Sequence, residues 1–256
     1  MSWQAYGKTL IVRHMIESKE RNSQAANTGL STVASATEGE TVPMARASSL
    51  MVPIRSLGAN HRARIARHLL ALEPHDRYLR FGFAANDAQI QRYADGLNFE
   101  RDEIFGIYNR RLELIAMAHL AFCADGKLSD CAEFGVSVLK SARGRGYGGR
   151  LFDRAAMHAR NAGIGRMFIH ALSENTPMLR IARKAGAKVE HDGSESEAHL
   201  LLLPATLDSR LTELVAEQLA LTDYRIKVQV KQFRDALGGV MAHRSAVSDA
   251  RQSSPK

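Results

Sequence analysis

A chain of 256 residues can hold one substantial core and a small appendage. Its formal net charge of +8 suits polyanions such as coenzyme phosphates, acidic proteins or nucleic acid, but with only 6% aromatic residues and no recognisable binding module, nucleic acid is the weakest of these. No apolar run spans a membrane, no cleavable signal opens the chain, and Cys123 and Cys131 lack metal-ligand spacing; the expectation is a soluble, cytoplasmic chain with reduced thiols, no metal and no membrane partner.

Residues 17–49 are rich in Ser, Thr, Ala, Asn and Glu and poor in large apolar side chains. Such a stretch cannot bury enough surface to offset its ordering entropy, so residues 1–49 read as a mobile leader. Order begins with a short β-like segment at Leu50–Leu57. Ile65, Leu69 and Leu72 then give a helical face that ends before Pro74, followed by a segment, His75–Phe83, that contains Arg80-Phe81. A second helix is predicted over Asp87–Leu97, capped by Asn86 or Asp87. Asp102–Tyr108 and Leu112–Phe122 read as strands joined at Asn109-Arg110-Arg111, and Ala124–Lys127 turns the chain again.

Cys131–Arg150 carries the most information. Phe134, Val136 and Val138 alternate with Glu133, Gly135 and Ser137, as in a half-buried strand. A glycine-rich stretch, Gly144-Arg145-Gly146-Tyr147-Gly148-Gly149, separates it from a helix bearing Leu151, Phe152, Ala155 and Ala159. A strand, a glycine turn and a helix start, with arginines among the glycines, build a phosphate site from main-chain amides and the helix dipole. A nucleotide P-loop is excluded, because no Gly-Lys-Ser/Thr closes the loop. The dinucleotide pattern is formally met by Gly144, Gly146 and Gly149, but four residues part the strand from its first glycine and three strands precede it. The third reading is a coenzyme A diphosphate cradle. Arg143-Gly144-Arg145-Gly146-Tyr147-Gly148 resembles the Arg/Gln-x-x-Gly-x-Gly/Ala signature of the GNAT superfamily of acyl-CoA-dependent N-acyltransferases, with Val138 where that family's fourth strand ends.

Gly163-Ile164-Gly165 stops the central helix, and Met167–Leu172 reads as a strand. Asn175 or Thr176 caps a further helix with Pro177 in its first turn and Gly186 at its end; Asn175 and Gly186 match the GNAT pattern, whereas Ala187 replaces its aromatic. Lys188–Glu190 and Ala198–Leu203 read as a closing β pair, and the run Leu200–Leu203 as a strand buried on both faces. From Thr206, Leu211, Val215, Leu219, Ile226, Val230, Phe233 and Leu237 recur at steps of three and four, with Thr222 in the gap. This is a long amphipathic helix whose stripe must be covered by the domain, the simpler assumption, or by a second copy in a homodimer.

The resemblance implies a mixed α/β (α+β) GNAT fold over residues 50–205, its central sheet flanked by helices, with a C-terminal helix over 206–240 and a polar tail over 241–256. The arrangement of strand, helix and Arg80-Phe81 is similar to the bacterial protein-lysine acetyltransferase type. It further implies acetyl-CoA as cosubstrate and a primary amine, on a small molecule or a protein lysine, as acceptor. Val136, Val138 and Leu139 would hold the pantetheine and thioester, Arg143, Gly144, Arg145, Gly146, Tyr147, Gly148 and Gly149 the diphosphate, with Arg150 as a further cation, and Asn175 would lie near the thiol. Glu133 matches the family's general base, His119 and His170 being alternatives; Arg77, Tyr78, Arg80 and Phe81 would line the acceptor side. The tyrosine that protonates the leaving thiolate in many relatives is replaced by Ala182. That replacement keeps a non-catalytic acyl-CoA sensor open as a second reading, and an NAD-dependent oxidoreductase, with Glu174 on the ribose, is the third.

Overall fold

The computed structural model describes residues 52–123 and 130–252; the leader expected over 1–49 and the turn at Ala124–Lys127 lie outside the described residues. In chain order the elements are β1 (Arg55–Ser56), α1 (Arg62–Leu70), α2 (Pro74–Phe81), α3 (Asp87–Asp95), β2 (Glu103–Tyr108), β3 (Leu114–Phe122), β4 (Cys131–Val138), α4 (Tyr147–Asn161), β5 (Arg166–Leu172), α5 (Thr176–Lys184), β6 (Lys188–Asp192), β7 (Glu195–Leu201) and α6 (Leu207–Gln252). They form one mixed seven-stranded sheet, ordered β1-β2-β3-β4-β5-β7-β6, in which β4 and β5 are parallel and every other pair is antiparallel. Among the described residues no helix is long and apolar enough to cross a membrane.

Local chemistry accounts for the boundaries. Pro74 opens α2 in its first turn, where a missing N–H is harmless. Asn86 and Gln89 form a reciprocal capping box at the start of α3. Asn109 Oδ1 accepts from the amides of Arg111 and Glu113 and so sets the β2–β3 hairpin. Strand alternation sends Phe105, Leu120, Phe134 and Met167 to the face covered by α4 and α5, where Leu151 and Phe152 join them. Ile104 and Met117 go to the opposite face, packed with Ile65, Leu69 and Ile90 from α1 and α3.

Four expectations change. The segment at 75–83 is a helix, so three helices, not two, precede β2. The leucine run is not buried on both faces: Leu200 is 8% exposed, but Leu201 is 79% and Leu203 75%, because β7 alternates and ends at Leu201. Helix α6 continues past residue 240, to Gln252. Cys123 and Cys131 are not free thiols. The β3–β4 register sets them across from one another, with Cys123 N donating to Cys131 O at 3.1 Å and a Cα–Cα distance of 5.7 Å, and they form a disulfide. Since disulfides persist mainly in oxidising compartments, the cytoplasmic expectation loses the support it took from reduced thiols.

Candidate functional site

The site begins where two parallel strands part. β4 and β5 pair at Cys131↔Arg166, Ala132↔Met167 and Glu133↔Phe168, and the pairing goes no further although β4 runs on to Val138 and β5 to Leu172. Leu139 N donates to Ile115 O on the β3 side at 3.0 Å. Amides alternate along a strand, so the odd-numbered ones in this part of β4 face β3, and those of Val136 and Val138 face the opening towards β5. Val138 O accepts from Arg143 Nε at 3.4 Å, which folds the next loop back over the strand end.

That loop turns through a short 3-10 segment, Lys140–Ala142, into two glycines with left-handed backbone, Gly144 (φ 75°) and Gly146 (φ 73°). The first helical bond of α4 runs from Arg150 N to Gly146 O at 3.1 Å, so the amides of Tyr147, Gly148 and Gly149 have no intrahelical partner, and no side chain caps the helix. A Cβ built on Gly144, Gly146 or Gly149 would meet nothing within 4 Å, whereas one on Gly148 would press Ile181 Cδ1 at 3.1 Å. The first three glycines thus border open space, and Gly148 allows α4 to pack on α5. Two cations of the loop are tied to α2 and the residue before it: Lys140 Nζ pairs with Glu73 at 2.9 Å, and Arg143 pairs with the buried Asp76. The sequence reading missed both acids. Their only local signal is an acidic residue beside Pro74, which by sequence alone reads as a helix stop.

On the α1–α3 face, Glu133, Gly135 and Ser137 of β4 stand opposite Ala121, His119 and Met117 of β3. The Arg80 guanidinium lies over Gly135, where a Cβ would come within 2.8 Å of its Cζ. Arg80 Nη2 donates to Tyr93 Oη at 2.8 Å, and Tyr93 Oη lies 2.7 Å from His119 Nδ1. His119 Nε2 donates to Asp102 Oδ2 at 3.2 Å, and Arg101 holds the other Asp102 oxygen at 2.6 Å. Burial pushes the Asp102 carboxyl up, but the bonds from His119 and Arg101 outweigh it and hold the carboxyl below its ordinary value. Burial pushes the Tyr93 hydroxyl up; the Arg80 charge opposes this, and the Glu133 and Asp102 carboxylates add to it.

Of the four residues expected to line the acceptor side, Arg80 and Phe81 meet at Tyr93, with Phe81 edge-on to its ring at 5.3 Å. Arg77 is elsewhere, donating to Leu70 O and Leu72 O at the end of α1 and pairing with Asp87. Tyr78 packs beside His75. Asn175 caps α5, its Oδ1 accepting from Met178 N at 3.2 Å. Ala182 is fully buried in the core, so the position carries no group for proton transfer. His170 is exposed on β5, in register with Glu197 of β7.

Beneath Ser137, His68 is 2% exposed; its Nδ1–H donates to Leu114 O and its Nε2 accepts from Ser137 Oγ, both at 2.8 Å. Burial, helped by the Arg80 charge, lowers its pKa to about 4, against the two hydrogen bonds that raise it. The unfolded chain therefore takes up this proton first. The stabilisation is complete above pH 6.5 and is lost as pH falls towards 4, by up to about 3 kcal/mol. Melting temperatures should fall across that window, and His68→Gln should flatten the fall; an unchanged slope in the variant would assign it to other groups.

Residues 67–187 match the family model of the Acetyltransferase (GNAT) family. Among solved structures the chain is similar to the GNAT domain of S. lividans PAT, at 19% identity and a TM-score of 0.50, over 58% of this chain and 89% of that one. It is also similar to spermidine N-acetyltransferase from Vibrio cholerae in complex with CoA and spermine (15% identity, TM-score 0.46, 58% and 94% covered). A further similar structure is yncA from Salmonella typhimurium with its cofactor acetyl-CoA (14% identity, TM-score 0.47, 60% and 95% covered). No curated protein matches.

Proposed function

Because the chain carries a domain of the GNAT acetyltransferase family across residues 67–187, we propose that it transfers an acetyl group from acetyl-CoA to a primary amine, both substrates being bound at once. One observation carries the reading: β4 and β5 stop pairing at Glu133↔Phe168, and β4 then runs directly into a loop of open amides. The residues fit the ligand's parts. Val136 and Val138 offer amides to a pantetheine arm in the opening, and Tyr147, Gly148 and Gly149 offer theirs to the diphosphate at a helix start, with Arg143, Arg145 and Arg150 adding positive charge. Acetyl-CoA supplies the acetyl group as a thioester. Val138 N–H draws electron density from the thioester carbonyl. Glu133 takes the proton from the incoming ammonium, directly or through one water. CoA leaves as a thiolate; with a thiol pKa near 8.5 it needs no dedicated acid, which agrees with a buried alanine at 182.

The aromatic–cationic corner of Arg80, Phe81 and Tyr93 beside Glu133 is the acceptor side of this site. The acceptor is an amine on a small molecule or on a protein lysine. The dinucleotide reading loses its footing, since the glycine loop follows the fourth strand of a mixed sheet. The second reading, an acyl-CoA sensor without turnover, rests on the absence of a proton donor at Ala182.

The test is thiol release from acetyl-CoA across polyamines, amino acids and lysine peptides. Turnover on one class supports the enzyme; tight acetyl-CoA binding with no release on any acceptor supports the sensor. Glu133→Gln should lower kcat about 100-fold and remove the acidic limb of its pH profile. Full activity at every pH in that variant would mean that another group is the base.

A further inference from the structure

Helix α6 docks on its own domain by its polar side. Glu213 receives Arg154 at 2.6 Å and His158 at 2.7 Å, Glu217 receives Arg154 at 2.8 Å, and Lys227 Nζ donates to Tyr108 O at 3.0 Å. The apolar stripe is left outside: Leu211 is 62% exposed, Val215 57%, Leu219 45%, Ile226 54%, Val230 49% and Phe233 66%. The assumption that the domain covers this stripe is thus overturned. An uncovered stripe on a helix with this pattern has a defined shape, and that shape identifies what covers it.

From Leu211 the stripe advances by 4, 4, 3, 4, 4 and 3 residues through Thr222 to Phe233, and in the sequence the same steps continue to Leu237 and Met241. This is an eleven-residue repeat of about 3.67 residues per turn, which keeps a seam nearly parallel to the axis of a straight helix. Between Leu211 and Phe233 the seam is roughly 33 Å long at 1.5 Å per residue. A straight element of similar length matches it. The steps also read the same in both directions about Ile226, so the stripe matches its own reverse: Leu219 answers to 233, and Thr222 to 230.

We propose that a second copy of this chain covers the stripe, its α6 running antiparallel about a two-fold axis at Ile226. The contact is isologous and closes on itself. Eight exposed apolar side chains on α6, from Leu207 to Phe233, present roughly 500 Å² of apolar surface at about 100 Å² per fully exposed side chain. That equals the apolar share, about 56–65%, of the roughly 800 Å² each partner gives to a stable interface.

Sedimentation of the full chain should show a species of twice 28.2 kDa. Ile226→Glu, at an exposed position, should weaken association at least about 100-fold by facing two carboxylates across the axis, with unchanged circular dichroism and melting. Mixed Leu219→Cys and Phe233→Cys chains should form the crossed disulfide on mild oxidation, identified by peptide mass, and neither variant should crosslink to itself. A monomer at every concentration would overturn the proposal, including one whose stripe is covered by residues 1–51. A dimer that Ile226→Glu leaves intact, or Leu219→Cys crosslinking to itself, would do the same.

Discussion

Gly146→Val should lower the affinity for acetyl-CoA by at least about 100-fold, the loss of one or two charge-assisted amide contacts, while leaving a folded protein. Gly146 has φ of 73°, a conformation that costs an L residue about 1–2 kcal/mol and a β-branched one more. A Cβ there meets nothing within 4 Å, so the penalty is backbone strain and not collision with the protein. The chain relieves that strain by turning residue 146 out of the left-handed region, which rotates the amides of Tyr147 to Gly149 away from one another. Gly163 at the far end of α4 is the matched control, with φ of 82° and equally open surroundings. Gly163→Val should cost similar stability and leave calorimetric binding unchanged. Equal binding losses in the two variants would trace the effect to general strain, and no loss at Gly146 would remove the diphosphate cradle.

The largest stability effect should come from Arg154→Met. Arg154 is 6% exposed, its guanidinium shared between Glu213 and Glu217 and lying 5.1 Å from the Phe105 ring. Removing the cation leaves two carboxylates facing the domain without it, a change that costs about 3–5 kcal/mol where such pairs are buried. The partner group reports on the same contact through pH. Burial pushes the Glu213 carboxyl up, but hydrogen bonds from His158 and Asn161 and the charges of His158 and Arg154 outweigh it and bring its pKa to about 2. A folded value below the unfolded one stabilises fully above pH 4.5 and is lost as pH falls towards 2, by about 3 kcal/mol at most. Thermal melts of the wild type should therefore drop through that acid window, and those of Arg154→Met should start lower and drop less. A variant as stable as the wild type would show that α6 is held by other contacts.

Where a residue was demanded by its own backbone, it could be read from sequence. Gly144 and Gly146 take left-handed conformations that few other residues tolerate, and Asn86 and Asn175 cap helices within three residues of themselves. What escaped depends on distant partners. Pro74 serves both as a helix stop and as a first-turn residue, and only the packing of α2 against the loop decides between them. The run Leu200–Leu203 looked buried because composition does not reveal where a strand ends. Asp76, Tyr93 and Asp102 join the site through residues 67, 26 and 17 positions away, distances no periodicity spans. The polar docking of α6 was illegible for a similar reason. Hydrophobic spacing locates a stripe but not the neighbour that faces it.

Helix α2 is only eight residues long, yet its start is fastened through Asp76 to Arg143 of the glycine loop and its end reaches through Arg80 to Tyr93 beside Glu133. It therefore joins the glycine loop to the corner beside Glu133, the two places the proposed function gives to donor and acceptor. Thermodynamic linkage between two binding sites runs equally in both directions. Under the proposed reading, any coupling between donor and acceptor that passes through α2 would be felt equally by both, although the helix takes no part in the chemistry.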